Sequence, residues 1–489
     1  MSLTRALSNA YSGLFHSSRS ADVTSNNIAN AQTPGYVRRE VIAQERVTGS
    51  EGNGVATGSI ERAQDLALSR TRRDADGGAS RAAVLAGATQ TLNQEIGEPG
   101  SAFGLFTSLE NLEASLQQFA VTPENGALQT AVVTAAQESA TQINALAHVA
   151  LSLRETAELQ IENDVETVNT ALHRLKQING DIASLNASSG ETAAIEDERQ
   201  QLLDKISNII PIKDIAQDND QIHVITEGGT YLLSSKVTEL SFERAKIIPD
   251  TARYGDGSNV LSGLWVGEQE VTPGQTNRQS ISGGSISGHF TVRDEIAPNF
   301  TDRMDSLSAE LIRRFSSTNV DPTITAGSPG LFTDAGGIGA LTNPAGSASR
   351  LQINARVDTD KGGELYRIRD GLGAITPGES GNSEIALNLL GAMQSTGAAP
   401  ANSGLSGFLS ISEIAAGLSS VSGEESVRFE AQSVSATARA TVLGDSELQR
   451  SGVDVDSELQ SLLIIEQAYA ANARVIQTVG EMIDRLLNL

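Results

Sequence analysis

Residues 25–40 read SNNIANAQTPGYVRRE, and this stretch decides where the first helix of the chain ends. A helix-like apolar pattern runs up to it, and Asn27 and Asn30 stand where that pattern stops. Asparagine can bond the last free carbonyls of a helix or adopt a left-handed turn. A proline disfavours helical geometry in the residue before it, and the Pro34-Gly35 pair suits a tight turn. The stretch therefore predicts a helix end followed by a sharp change of chain direction.

The segment before this turn carries small and apolar residues at steps that alternate between four and three. This spacing is typical of a helix that packs in a coiled coil. The predicted seam of the N-terminal helix consists of Leu3, Leu7, Ala10, Leu14, Ser17, Ala21, Thr24 and Ile28.

The last segment of the chain repeats the pattern. After a break at Ser451-Gly452, Asp454 or Ser457 is a candidate N-cap for a second helix. The predicted seam of this C-terminal helix consists of Leu462, Ile465, Tyr469, Asn472, Ile476, Val479, Ile483 and Leu486.

The two terminal segments differ in charge. Residues 1–46 hold five arginines against three acidic residues, and residues 451–489 hold six acidic residues against two arginines. Opposite charge and matching seams predict that the two helices pair, although two independent surface helices would give the same pattern. An exposed apolar seam costs free energy and an isolated helix is marginal in water, so we expect both segments to be mobile in the free chain and to order on assembly.

The interior alternates between helical and strand-like patterns. Helical periodicity gives way after Pro211 to a hairpin signal about Gly228-Gly229, and strand-like sequence continues to about residue 289 before helices return. This order predicts a mainly α fold with a β insert, an α+β multidomain chain. The predicted domains are a terminal coiled-coil assembly domain (1–45 plus 455–489), a discontinuous long-helix bundle domain (60–210 plus 290–454, with a mixed loop and strand segment at 320–404) and an outward β-rich insert (211–289).

Composition excludes several classes of protein. The formal net charge of −25 opposes nucleic acid and anionic membrane as partners, because phosphate binding needs clustered Lys and Arg. The absence of cysteine excludes disulfides, thiolate catalysis and cysteine metal sites. No apolar stretch is long enough to span a bilayer, so we expect no membrane insertion. The first residues lack the continuous apolar core of a signal peptide, so we expect any export to proceed without a cleaved signal.

Chemical motifs are missing as well. The five histidines show no metal-ligand spacing, and neither a nucleophile elbow nor a Walker A sequence is present. The acidic loop that begins at Asp358 starts like a calcium loop, but its twelfth position is Arg369 where calcium needs a bidentate carboxylate. A pair of distant carboxylates for glycoside hydrolysis is not signalled by any local feature. The sequence therefore predicts no catalytic site, no metal and no cofactor.

The opening stretch resembles the N-terminal motif of bacterial flagellar axial proteins, the rod, hook and hook-associated proteins. The C-terminal helix is similar to the matching helix of those proteins. Within the group, segments DERQQLLDKIS from Asp197 and GGSISGHFTVRDEIAP from Gly283 resemble the hook-associated protein 1 family, whose members form the first hook–filament junction. The motif residues are Asn27, Ile28, Ala29, Asn30, Thr33, Pro34, Gly35 and Tyr36.

The resemblance implies a structural protein of the flagellum, without enzymatic activity, that self-assembles through its terminal helices. It implies export through the flagellar type III apparatus to an extracellular position between hook and filament. The implied partners are other copies of the chain in a helical or ring assembly, the hook protein, the second hook–filament junction protein and an export chaperone. Two alternatives remain at this point: another axial protein, such as a hook or rod protein, and a peptidoglycan hydrolase linked to the flagellum.

Overall fold

A computed structural model describes residues 3–48, 51–188, 190–258, 260–341 and 344–487. The predicted terminal domain also includes residues 1–2 and 488–489, which lie outside the described residues. The helices are α1 Leu3–Ala29, α2 Leu66–Ile96, α3 Leu105–Val121, α4 Gly126–Ala187, α5 Ala193–Ile209, α6 Gly284–Thr291, α7 Ala297–Phe315, α8 Ser347–Arg350, α9 Arg367–Asp370, α10 Glu384–Gln394, α11 Ile411–Ser451 and α12 Val455–Leu487.

The strands are short apart from the first two and form small sheets. The sheets follow chain order: β1–β2, β3–β4–β5, β6–β7–β8, β9–β10 and β11–β12. The predicted fold class, mainly helical with β additions, is confirmed. The strands are β1 Arg39–Thr48, β2 Glu51–Arg62, β3 Ile212–Ala216, β4 Ile222–Thr226, β5 Tyr231–Leu233, β6 Leu240–Ser241, β7 Trp265–Val266, β8 Gln269–Glu270, β9 Phe332–Asp334, β10 Leu351–Ile353, β11 Gly397–Ala398 and β12 Phe408–Leu409.

The chain divides into two compact units. Unit 1 comprises the residues up to Gly78, Glu166–Leu240 and the residues from Ala436 onward. Unit 2 comprises Ala79–Val165 and Ser241–Ser435. Each unit is therefore built from segments that are distant in sequence. The domain limits given by the sequence patterns stay a prediction.

Unit 2 has an apolar core that includes the inward faces of α3 and α7. Leu105, Leu109 and Leu116 of α3 are fully buried, as the leucine spacing of this helix predicts. Met304 and Leu311 of α7 belong to the same core. Burial of such a side chain contributes about 2 kcal/mol, so these two helices supply much of the stability of the unit.

The second helical part begins earlier than the sequence pattern predicts. The pattern predicts strand-like structure as far as residue 289, but α6 begins at Gly284. Its glycines and serines carry little periodic signal. A Cβ at Gly288 would lie 2.9 Å from Cβ of Val84, so the glycine serves close helix packing. The small residues let the helices pack closely, and because they carry little periodic hydropathy signal they also make the helix hard to predict from the sequence.

A buried ionic cluster lies at the end of α6, where five residues, Val292–Ile296, form a π-helical turn. The Arg293 side chain is fully buried, and its Nη1 donates to Oε1 of Glu158 at 2.7 Å. Its Nε and Nη2 donate to the carboxylate of Asp294, each at 2.8 Å. Burial raises the pKa of Glu158, and the arginine opposes that effect. The cluster ties α4 to the π-helical turn inside unit 2.

Unit 1 carries a hairpin of ten and twelve residues, β1 and β2, directly after α1. The sequence predicts only a glycine-rich loop with one or two short strands there. The strands are longer because two irregularities in register, at Val41/Ala43 and Glu45/Val47, absorb the residues that break the alternation. The hairpin expected about Gly228-Gly229 is present as β4–β5, with Gly229 at φ +88°.

Candidate functional site

The two terminal helices pack along each other within unit 1, and the predicted pairing of α1 with α12 is confirmed. Gly13 of α1 lies directly against Asn472 of α12, since a Cβ at Gly13 would be 2.7 Å from Nδ2 of Asn472. Asn27 near the end of α1 bonds Glu458 near the start of α12. Residue numbers rise along one helix and fall along the other between these contacts, so the two helices are antiparallel.

The residues of the predicted α1 seam differ in how far they are buried in this helix pair. Leu7 is exposed, with 36% of its surface accessible. Ala10, Ser17 and Thr24 are buried, while Leu3, Leu14, Ala21 and Ile28 are half-buried.

The predicted α12 seam is also graded. Val479 is buried, but Tyr469 and Leu486 keep 45% and 60% of their surface accessible. The assembly role assigned to both seams stays a prediction. The remaining members, Leu462, Ile465, Asn472, Ile476 and Ile483, are half-buried.

Each terminal helix carries a further apolar stripe that faces outward and that the seam pattern does not include, apart from Leu7. The N-terminal stripe is Leu7, Tyr11 and Phe15, of which Tyr11 is 66% exposed. The C-terminal stripe is Ile464, Ala468, Ala471, Val475 and Met482, all exposed, at steps that again fit a heptad. The alanines of the second stripe made it inconspicuous in the sequence.

The motif after α1 forms the turn that the sequence predicts. Asn30 Nδ2 donates to the carbonyl of Asn26 at 3.0 Å, which adds a second hydrogen bond to the one that this carbonyl accepts from the Asn30 amide. The amide of Tyr36 donates to the carbonyl of Thr33 at 3.2 Å, and Gly35 between them has φ +78°. This is a tight turn in which the third residue must be left-handed, which favours glycine.

The other motif asparagine, Asn27, is 1% exposed and joins three elements. Its Nδ2 donates to the Arg39 carbonyl at 2.9 Å and to Oε2 of Glu458 at 3.1 Å. Its Oδ1 accepts the Tyr36 hydroxyl at 2.8 Å and the Arg39 amide at 3.1 Å. All four hydrogen-bonding positions of the amide are therefore used, which holds the end of α1, the turn and α12 together.

The electrostatic environment of the joint affects the Tyr36 hydroxyl. Burial raises the pKa of Tyr36, against the opposing effect of the Arg39 guanidinium, whose carbon lies 4.6 Å from the ring centre. Tyr36 therefore stays protonated and donates its hydrogen bond. Glu458 is 4% exposed, and its second oxygen lies 3.5 Å from Nη1 of Arg38.

Helix α5 docks on the same joint. Asp197 accepts from Arg39 at 2.8 Å and lies 2.7 Å from Nη2 of Arg62. These two arginines face each other across the β1–β2 ladder, so one carboxylate bridges the pair. Gln201 Nε2 donates to the carbonyl of Pro34 at 3.0 Å. The structural roles of Asp197, Gln201 and Glu458 were missed by the sequence; the paired arginines after the turn were the available signal for acidic partners.

Of the motif residues, Asn27 is the buried member. Tyr36, Ile28 and Asn30 are half-buried, while Ala29, Thr33, Pro34 and Gly35 are exposed. The burial pattern thus separates residues that hold the joint from residues that shape the turn.

Among the described residues, no group of three or more His, Asp and Glu side chains is arranged to hold a metal ion. In the acidic loop that begins at Asp358, the Asp358 carboxylate accepts the amide of Asp360 and lies 3.3 Å from Nζ of Lys361. Over the described ranges, none of the helices has the length and apolar character required to cross a membrane.

Three stretches of the chain match known protein families. Residues 7–36 match the flagella basal body rod protein family, and residues 446–489 match the C-terminal family of flagellar basal body rod FlgEFG proteins. Paired terminal helices with these matches define the class, a flagellar axial protein. Residues 79–331, just over half of the chain, match the helical domain of flagellar hook-associated protein FlgK. The chain therefore belongs to the FlgK family of flagellar hook-associated proteins.

Three relatives that align with this chain over nearly their whole length are each named flagellar hook-associated protein 1. Flagellar hook-associated protein 1 of Bacillus subtilis is 23% identical over 495 residues, which cover 95% of this chain and 94% of that protein. The proteins of the same name from Escherichia coli and Salmonella typhimurium are 19% and 21% identical over the whole of both chains. The flagellar hook junction protein FlgK of Burkholderia pseudomallei is 17% identical, with a TM-score of 0.43 over 54% of this chain and 46% of that one.

Proposed function

We propose that this protein joins the hook of the bacterial flagellum to its filament, and that it does so by self-assembly of its terminal helices. The observation that carries the proposal is the pair of outward apolar stripes. Ile464 of the C-terminal stripe and Tyr11 of the N-terminal stripe are 67% and 66% exposed. Exposed apolar surface in such rows marks an interaction site.

The two stripes favour a particular kind of contact. They lie on different helices and differ in composition, mainly aromatic on α1 and aliphatic on α12. A contact between two unlike surfaces is heterologous, and repeated heterologous contacts build helical or ring assemblies. We therefore propose that the N-terminal stripe of one copy packs on the C-terminal stripe of its neighbour, and that the terminal segments become fully ordered on assembly.

The remaining contacts follow from the position between hook and filament. The hook protein would bind on one side and the second hook–filament junction protein on the other. The helical region would supply lateral contacts and the β-rich insert would face outward. The chain would leave the cell without a cleaved signal, through the flagellar export apparatus, and the patch Leu462–Ile465 is a candidate surface for an export chaperone.

The test introduces a charge on the C-terminal stripe. Ile464→Asp and Val475→Asp change exposed residues and should leave the folded chain intact, but should block assembly because a charge would be buried at the contact. The variants are expressed in a strain that lacks its own copy, and filament attachment and shed flagellin are measured. Gln477→Asp is the matched control, an exposed residue on the same helix but on a face away from the stripe.

We expect flagellin to appear in the medium with both stripe variants and not with the control. Normal filaments on cells that carry either stripe variant would overturn the assembly role of the stripe. Purified protein should release no soluble fragments from peptidoglycan, and measurable release would instead favour the hydrolase alternative.

A further inference from the structure

We infer that Asn27 and Glu458 set the register in which the two terminal helices pair. The two residues touch across the helix pair, where Asn27 Nδ2 lies 3.1 Å from Oε2 of Glu458. Both are buried, with 1% and 4% of their surface accessible. The inference concerns a contact within one chain and so goes beyond the proposed assembly between copies.

Two contacts fix the geometry. Gly13 lies against Asn472, and Asn27 bonds Glu458. Both contacts are two heptads apart on each helix, so a single antiparallel register satisfies them together. The same register places Ser20 opposite Ile465, halfway between the two contacts.

The apolar part of the pair does not select this register by itself. Heptad seams repeat every seven residues, so a slip of one heptad brings equivalent positions together again. The α1 side offers small residues at Ala10, Ser17 and Thr24, whose shapes discriminate weakly between neighbouring registers. A buried polar contact discriminates strongly, because a slip leaves buried polar groups without partners.

Asn27 is suited to this task because its other bonds are local. Its Oδ1 accepts the Tyr36 hydroxyl and the Arg39 amide, which fixes the rotamer of the amide before α12 is considered. The remaining N–H then points at Glu458, whose other oxygen faces Arg38. The folded turn therefore presents one oriented donor, and α12 fits it at one position only.

The absence of cysteine in the chain allows a disulfide test without background. Ser20→Cys with Ile465→Cys reports the native register, and Ser20→Cys with Asn472→Cys reports a slip of one heptad. Both pairs are placed in the full purified chain, oxidised, and separated by denaturing electrophoresis. Intramolecular disulfides are counted and disulfide-linked dimers are excluded by size.

Asn27→Ala should lower the ratio of native to slipped disulfide by about tenfold, the discrimination expected from one buried hydrogen-bonding group. Glu458→Leu, which adds apolar surface to the pair and so favours folding, should lower the ratio as well. Glu458→Gln keeps an acceptor for Asn27 and should leave the ratio near that of the unsubstituted chain. Asn30→Ala is the matched control, because the side-chain hydrogen bonds of Asn30 to described residues lie within its own helix end and turn.

An Asn27→Ala ratio equal to that of Asn30→Ala would overturn the inference. A missing native disulfide in the otherwise unsubstituted chain would overturn the register itself. Because these measurements use the purified chain, they are independent of filament attachment, and the failure of the proposed junction role would not change them.

Discussion

At the scale of single residues, Gly54 decides how closely the β1–β2 hairpin approaches α1. It has φ +85°, and a Cβ there would lie 2.2 Å from Oγ of Ser12 and 3.3 Å from Cα of Asn9. The Ser12 hydroxyl in turn accepts the amide of Val55 at 3.1 Å. The hairpin can rest on the helix only where the side chain is missing.

Gly54→Ala should therefore destabilise unit 1 by about 1–3 kcal/mol, because both the left-handed backbone and the contact with α1 are strained. Gly78→Ala is the matched control, since Gly78 lies in α2 with open space around it. That substitution should be neutral or stabilise by up to about 1 kcal/mol. Urea unfolding of both variants measures the difference, and equal effects would contradict the proposed close approach.

The stability of unit 2 should depend on pH because the carboxyl group of Asp305 is buried. Burial raises its pKa to about 6, against the opposing effect of the amides of Ala348 and Gly346, each 2.7 Å from the carboxylate. The folded pKa lies above the unfolded value of about 4, so the stabilisation that protonation provides is complete below about pH 4 and is lost as pH rises through 6.

The unsubstituted chain should therefore lose about 2–3 kcal/mol relative to Asp305→Asn between pH 4 and pH 7, because the asparagine has no proton to release. Urea unfolding at several pH values measures this difference. Asp360→Asn changes an exposed residue and keeps Asp305, so its stability should follow the pH dependence of the unsubstituted chain. Equal pH dependence in Asp360→Asn and Asp305→Asn would argue against Asp305 as its origin.

The turn after α1 could be predicted from the sequence, whereas the complete environment of Asn27 could not. Tyr36 and Arg39 lie within twelve positions of Asn27, and the Thr-Pro-Gly-Tyr run specifies the local geometry. Glu458 lies 431 positions away and is one of several acidic residues in its segment. Only the register of the packed helices selects it, and that register is a tertiary property.

At the scale of elements, the π-helical turn at Val292–Ile296 positions Arg293 inside the core of unit 2. Its guanidinium lies between Glu158 and Asp294 and 4.5 Å from the ring centre of Phe290. One extra residue in the turn shifts the direction in which the following side chains point. The turn therefore lets a charged side chain reach its partners from a helix that is otherwise apolar on this face.

Arg293→Met should cost about 3–5 kcal/mol, because it leaves the Glu158 carboxylate buried without its cation. Adding Glu158→Leu should recover part of that loss, since the unpaired charge is then removed. Arg303→Met, which breaks a partly exposed ion pair with Glu425, is the control and should cost much less. Thermal unfolding compares the three, and a double variant no more stable than Arg293→Met would contradict the explanation.

Elements with long side chains at regular spacing were predictable, and elements built from small residues were not. The regular spacing of the leucines in α3 and of the large apolar residues in α7 indicates which face of each helix is buried. Helix α6 is built largely from Gly and Ser, and two of the five residues of the C-terminal stripe are Ala. Such small residues give little contrast in hydropathy between a buried and an exposed face. Within the site, the pairing of the terminal helices and the turn after α1 could be predicted, and the outward stripes could not, while the role of the seams in assembly stays a prediction.

At the scale of the whole molecule, the net charge of −25 acts against self-association. Salt screens this repulsion, since the Debye length falls from about 10 Å at 0.1 M to about 3 Å at 1 M, while apolar contact is not weakened. We therefore expect self-association of the purified chain to increase with salt, as measured by sedimentation. Ile464→Asp should abolish the increase, and association that falls with salt would instead indicate a contact driven by opposite charges.

The antiparallel arrangement of α1 and α12 has a mechanical consequence. Both helices connect to the rest of unit 1 at the same end of the pair, α1 through the turn after Asn30 and α12 through the residues after Ser451. The two connections lie side by side, where the amide of Arg38 donates to the carbonyl of Ser451 at 2.8 Å. Tension along the pair is therefore shared by two chain connections that run in parallel. A cut in one connection leaves the helix pair tethered by the other, and a rotating appendage would lose this attachment only when both connections are broken.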